Sequence, residues 1–371
     1  MNTELLVPNR TILHHKVERA EHIDLGQCWN LEQMRDYNLK RERLSDPQDI
    51  TAKPSEVTMT FGPGGAHARF LTPRGPTQPM RLLKPAFQQM AREVLPSHGG
   101  GFMLKSAALD ARAMPMITAL WAMHAKECDR PMTYRTQLTK IDGRVERVVR
   151  AMVTPTYAPY NHSTLLSAAL DAAGNLPVIE ALVTDNKMQV RVIDPEDEGF
   201  QLGKQVKMLQ LYNSETGHRS AGVKGGMFTL VCTNGMGSWG VHSDTSWRHV
   251  GDPQRIHREM PSAMADAATA MDDVMATYRK AIDIFIDDAA AFATQELRRQ
   301  KVSHRLIEQT KVGMKDPTSN EFGTLAGVVD GITLIAQQQN YDEQEFLEGC
   351  AANVLRRGVR VAQGNSIKVR A

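Results

Sequence analysis

Gly199 to Lys204 reads GFQLGK, glycine and lysine in the order a phosphate-cradling loop uses. The spacing is one residue short of that loop, and Gln205 stands where it needs Ser or Thr for the magnesium ion. Ser238 lies in GMGSWG, but a nucleophile elbow needs a glycine two places earlier, and Met236 is there. His98 to Gly101 reads HGGG, the make-up of an oxyanion loop; without a matching serine it reads as a helix terminator. His14, His15 and His22 carry metal-binding imidazoles but lack an i, i+4 pair and a carboxylate at a telling distance. Cys28, Cys128, Cys232 and Cys350 are far apart and form no CxxC, which argues against zinc and against a disulfide framework. Cys232 reads as a small buried residue. Asp194, Glu196, Asp197 and Glu198 in the DPEDE segment would serve metal-dependent cleavage only if distant acids joined them; alone they read as a solvated loop. No catalytic constellation emerges, so the expectation is a protein that is not an enzyme and uses no metal or cofactor.

The basic residues suggest a different chemistry. Arg144, Arg147 and Arg150 fall on one predicted strand, Lys204 and Lys207 precede or begin another, and Arg219 and Lys224 sit just before a third. Same-face residues of a strand are about 6–7 Å apart, close to the phosphate spacing of a single nucleic-acid strand. If these strands share a sheet, their cations line one groove; otherwise they are the solvated face of a sheet. From Asn213 to Gly240 the chain is rich in glycine and nearly free of acid. Gly222, Gly225 and Gly226 there either serve turns and bulges or let backbone amides approach a phosphate closely.

The elements that must position these residues follow from pattern. Tyr134–Ile141 and Arg144–Val153 flank Asp142-Gly143, the dipeptide that suits a type I′ turn, and predict a hairpin. Helix is predicted for Ser163–Ala173, capped by Asn161 or Ser163, and a second hairpin for Val178–Thr184 and Lys187–Ile193. Val206–Tyr212 and Met227–Cys232 read as strands, as does Val57–Phe61 before a GPGG turn. Pro85–Leu95 and Pro115–Glu127 read as helices. Apolar residues recur every three or four positions from Met264 to Phe292, predicting one long amphipathic helix. Its narrow seam suits either the core or pairing between subunits. Helices near Thr324–Gln338 and Asp342–Arg357 follow, with Gly358 as a terminating glycine. The fold class is α+β: a central, mostly antiparallel sheet with packed helices and a long C-terminal amphipathic helix. The organisation is an N-terminal arm over 1–50, a core with basic hairpins over 51–255, a helical region over 256–357 and a basic tail over 358–371.

With 44 basic and 42 acidic residues in 371, a polyanion could be bound only through local clustering of charge. No run approaches the length of a membrane span and no apolar leader opens the chain, so a cytoplasmic location is expected.

The segments RAMVTPTYAPYNHSTLL (Arg150 to Leu166) and NSETGHRSAGVKGGMFTLVCTNGM (Asn213 to Met236) resemble the phage/plasmid-like proteins, a family encoded on mobile elements and without a secure biochemical assignment. The matching residues are Arg150, Tyr157, Asn161, Asn213, Ser214, Gly217, Cys232, Thr233, Asn234 and Gly235. The resemblance spans roughly residues 50 to 300 and implies a bacterial cytoplasm in which a mobile element replicates and recombines. The order hairpin, helix, sheet with basic strands is also similar to the cores of single-strand annealing proteins, which form rings or filaments and hold a strand in an external groove. The expectation is a single-stranded DNA binding and annealing protein of a phage or plasmid, a homo-oligomer, with a host or phage recombination protein as a further partner. The alternative is a non-enzymatic interaction or regulatory protein that binds a host or phage protein; its high methionine content, 20 residues, favours adaptable contacts.

Overall fold

The structure, a computed structural model, describes residues 13–16, 28–62, 65–94, 114–184, 186–196, 205–229, 234–236, 244–314 and 323–364. In chain order, β1 (Leu13–Lys16) and β2 (Trp29–Asn30) lead into α1 (Leu31–Ser45). Strands β3 (Gln48–Ala52), β4 (Val57–Gly62), β5 (Gly65–Thr72), β6 (Gly75–Pro76) and β7 (Met80–Leu82) follow, then helices α2 (Lys84–Val94) and α3 (Met114–Ala125). The hairpin β8 (Met132–Ile141) and β9 (Arg144–Val153) precedes α4 (His162–Ala173). A second run of strands is β10 (Pro177–Val183), β11 (Met188–Ile193), β12 (Gln205–Asn213), β13 (Ala221–Thr229), β14 (Asn234–Met236) and β15 (Asp244–Trp247). The rest is helical: α5 (Arg255–Ile282), α6 (Ala289–Arg299), α7 (His304–Gly313), α8 (Leu325–Ala336) and α9 (Tyr341–Gly364).

The α+β class stands, with two sheets in place of one. The first has the order β3-β8-β9-β7-β5-β4, antiparallel except for the parallel pair β7 and β9. The second has the order β1-β10-β11-β12-β13-β14, with β2 on β10 and β15 on β13. In the β8–β9 hairpin Asp142 and Gly143 take φ of 49° and 81°, the left-handed pair that a type I′ turn demands. Helices α2 and α3 cover the first sheet, where Phe61, Phe87 and Trp121 meet edge to face or tilted. Helices α1, α4 and the first half of α5 share a second core with the second sheet. The later half of α5 and the helices after it close a third core around Val328, Ile332, Leu347 and Val354.

Three expectations are corrected, and one left open is resolved. Residues 31–45, placed in the N-terminal arm, form α1. Asn30 and Gln33 close a reciprocal capping box there, which satisfies backbone donors at the first turn. The long amphipathic stretch is not one helix: α5 ends at Ile282, and Asp288 caps α6 by accepting from the Ala291 amide. Between them Ile286 donates to the Gly323 carbonyl and Leu325 to that of Ile284, so this backbone bonds outside a helix. The apolar stripe of α5, including Met260, Met264, Met271 and Tyr278, is buried against the chain's own sheet and helices, so that seam is part of the core. Gly358 does not end α9. A Cβ there would lie 2.5 Å from Leu325 side-chain carbons, so the glycine lets α9 pack closely on α8.

Candidate nucleic-acid interface

The basic residues singled out by spacing do not form one trough. Arg144, Arg147 and Arg150 belong to the first sheet, while Lys207, Arg219 and Lys224 belong to the second sheet or its β12–β13 connection; Lys204 lies outside the described residues. Arg144 is exposed at the tip of its hairpin. Arg147 pairs with Asp46, Lys207 with Asp272, Arg219 with Glu345, and Lys224 with Glu345 and Asp244. Arg150 is buried. It donates to Glu215 at 2.8 Å and to Gln137 at 2.9 Å. Strand spacing placed the cations correctly along the chain, but carboxylates distant in sequence meet them in the fold.

The glycines approach the protein itself. At Gly222 a Cβ would lie 2.3 Å from the Tyr212 ring and 2.7 Å from the Thr245 carbonyl oxygen. At Gly225 it would lie 2.6 Å from the Ala267 carbonyl oxygen, so α5 crosses β13 at closest approach there. Gly226 is buried in the same strand opposite Met208. All three face chain rather than solvent. Of the DPEDE acids, Asp194 and Glu196 are exposed and Asp197 and Glu198 lie outside the described residues; no group of three metal-ligating side chains occurs among those described. Cys232, His22 and the HGGG and GFQLGK segments also lie outside them.

The fold brings together a set that spacing did not reveal. Glu215, in the β12–β13 turn, is fully buried, and its Oε2 accepts from Arg150 at 2.8 Å and from Arg41 of α1 at 3.2 Å. Its Oε1 accepts from the His162 amide at 2.8 Å, at the first turn of α4. Asn161, expected to cap that helix, makes no side-chain cap bond. The caps come from elsewhere in the chain: Glu215 serves His162, and Glu42 takes the Ser163 amide and hydroxyl. Two carboxylates at a helix N-terminus fit its partial positive charge. Burial alone would raise the Glu215 carboxyl, but Arg150, Arg41 and the bond from the His162 amide reverse this and hold it well below the usual range. The His162 ring is driven down to about 3 by burial, so it is neutral at pH 7 and the arginines supply the charge. Asn213 donates to the Tyr160 carbonyl and Tyr157 to that of Ser214. The two segments that carry the family resemblance thus meet in one buried network joining the two sheets.

Tyr157 links that network to an open cleft of about 430 Å³. Its apolar wall is Met132, Met152, Val153 and Val250, and its polar rim includes Arg92, Glu93, Arg219 and Arg248. Tyr157 lies half-buried in the wall, stacked on His249 with ring centres 4.8 Å apart. Burial pushes the Tyr157 hydroxyl up to about 12 and the His249 ring down to about 4, so both are neutral at pH 7. Gly217 has φ of +74°, and a Cβ there would press on Val153 and Tyr157, so glycine keeps this wall open. Arg92 and Arg248 are exposed, and neither meets a carboxylate among the described residues. The arrangement offers guanidinium donors around an apolar, partly aromatic recess. Among the described residues no helix is long and apolar enough to cross a membrane. No family model, no curated protein and no solved structure matches this chain.

Proposed function

We propose that the chain binds and anneals single-stranded DNA as an oligomer, without catalysis, and that the cleft between the sheets is where the strand docks. The observation that carries this reading is the pair of exposed arginines, Arg92 and Arg248, which meet no carboxylate among the described residues, beside an apolar recess walled by Tyr157. Guanidinium groups meet phosphate oxygens with matched geometry, and bases rest on aromatic and apolar side chains without sequence preference. The setting in a phage or plasmid within a bacterial cytoplasm, and a recombination protein as a further partner, rest on the family resemblance alone.

Fluorescence anisotropy with labelled oligothymidylate of about 30 nucleotides tests the reading. Binding at low salt should weaken with a log–log slope near −0.7 per phosphate contacted, and Arg92→Ala with Arg248→Ala should weaken it roughly tenfold. Complementary strands should anneal faster in its presence, and the mass in solution should grow when DNA is added. A folded sample that binds no oligonucleotide at low salt refutes the reading.

A second reading, a protein-interaction module, is favoured by α3. This helix contains no Asp, Glu, Lys or Arg, and Met116 and Met123 are 67% and 54% exposed on the side away from Trp121. Met116→Lys with Met123→Lys would then lower the solution mass while leaving oligonucleotide binding untouched.

A further inference from the structure

Arg219 lines the cleft with Arg92 and Arg248, yet its guanidinium is already occupied. Nη1 donates to Glu345 Oε2 at 2.9 Å and Nη2 to Oε1 at 2.7 Å, a two-pronged bond from the β12–β13 connection to α9. The guanidinium also lies 4.0 Å from the Tyr212 ring centre, which holds it flat. Lys224 adds a bond to the same carboxylate at 3.2 Å. A carboxylate gripped by both prongs of an arginine presents the same oxygen spacing and charge that a phosphate would. Neither side chain is sealed off: Arg219 is 29% and Glu345 19% exposed, so solvent reaches the pair.

We infer that Glu345 is an internal stand-in for a phosphate, an autoinhibitory contact that keeps one of the cleft's three arginines from the bound polyanion. This rests on the reading of the cleft as the strand's docking site and adds a control to it. Burial would raise the Glu345 carboxyl, but Arg219 and Lys224 reverse this and bring it to about 2, so the stand-in stays charged at every physiological pH. Only an anion that competes for Arg219, or the loss of the carboxylate, releases the arginine. A strand anchored by Arg92 and Arg248 would have to break both bonds of the pair to reach Arg219, so in the wild-type chain the arginine stays with Glu345.

The experiment measures oligothymidylate binding to the full chain by anisotropy over a salt series. Glu345→Gln should tighten binding roughly three- to tenfold at low salt and steepen the log–log slope by about 0.7, the increment for one more phosphate contact on a single strand. Arg219→Ala in the wild-type background should change affinity less than about twofold, because the arginine is engaged elsewhere, and in the Glu345→Gln background it should cancel the gain. The Arg219→Ala arm needs no change at residue 345, so a large loss there overturns the inference even if the glutamine variant folds poorly. Unchanged or weaker binding by a folded Glu345→Gln, or a tenfold loss from Arg219→Ala alone, overturns the inference. Loss of binding in Arg92→Ala with Arg248→Ala alongside either of those results leaves the cleft assignment standing and removes only the control. No binding by any variant removes both.

Discussion

Glu215→Gln is the sharpest perturbation of the joint between the sheets. The side chain is 2% exposed, and its two oxygens take a bond from Arg41, one from Arg150 and one from the His162 amide. Glutamine has nearly the same shape but one acceptor in place of two, and its amide would point at donors. Two guanidiniums would then lose their directly bonded carboxylate, since the His162 ring is neutral and the Glu42 oxygens are bonded to Ser163. Removing one partner of a buried ion pair costs about 3–5 kcal/mol, mostly for stranding the other charge. An unfolding entropy of about 2.1 cal/mol/K per residue over 371 residues gives about 0.8 kcal/mol/K. A loss of about 4 kcal/mol therefore lowers Tm by about 5 °C if the chain unfolds as one unit. Urea denaturation at pH 7 measures the loss directly, and a value under about 1 kcal/mol would refute the reasoning.

The same variant should change the acid limb of stability. The folded Glu215 carboxyl titrates below its unfolded value, so its contribution is present above about pH 4.3 and fades as pH falls towards the folded value. Glu42 has the opposite sign: burial and then the Glu215 charge raise it, so its stabilising share is present at low pH and lost as pH rises through its folded value. Wild-type protein should thus lose stability steeply below pH 5, and Glu215→Gln should show a flatter limb.

Other changes separate packing from charge. Gly225→Ala should lower stability by about 1–3 kcal/mol, because the new methyl would meet the Ala267 carbonyl at 2.6 Å and α5 must lift from β13; thermal melting reads it. Arg191 is buried between Glu180 at 2.8 Å and the two oxygens of Glu348. Arg191→Met strands two carboxylates and should cost about 3–5 kcal/mol. Glu348 is already pushed up by burial, and Gln337 and Gln344 donate to it, so Glu348→Gln should cost under about 2 kcal/mol in the same denaturation assay.

Local chemistry made much of the fold legible. Asp142-Gly143 announced a hairpin because few other pairs accept two left-handed residues, and Pro85 with Phe87, Met90 and Val94 announced α2. Helix α1 escaped notice because LEQMRDYNLKRERLS is polar on most faces; the Asn30 and Gln33 spacing of a capping box was the available signal. The start of β13 escaped because AGVKGG reads as turn, and its glycines are set by the Tyr212 ring and α5, which no local pattern reveals. Glu215 sat inside the NSETGH segment without standing out. Its weight comes from Arg41, Arg150 and His162, which lie 174, 65 and 53 residues away. The cations had the same difficulty: Arg147 and Arg219 find carboxylates 101 and 126 residues distant.

Pairing within the chain does not carry the same consequence for every cation. An exposed ion pair contributes about 0–1 kcal/mol, so a phosphate chain can exchange it at little cost. Lys207 with Asp272, 31% and 63% exposed, is of this kind, and Arg147 with Asp46 is similar. Arg150 with Glu215 is not, because exchange would leave a buried carboxylate facing Arg41 alone. Within the reading of the cleft as a strand's docking site, the cations that remain sort by burial of their carboxylate: Arg92 and Arg248 are open, Arg147 and Lys207 exchangeable, Arg219 held back by Glu345, and Arg150 structural. Salt therefore separates the classes. Charge removal at Arg248 should reduce the salt slope of binding without moving Tm, whereas Arg150→Met should lower Tm by several degrees and change the slope only through loss of folded protein.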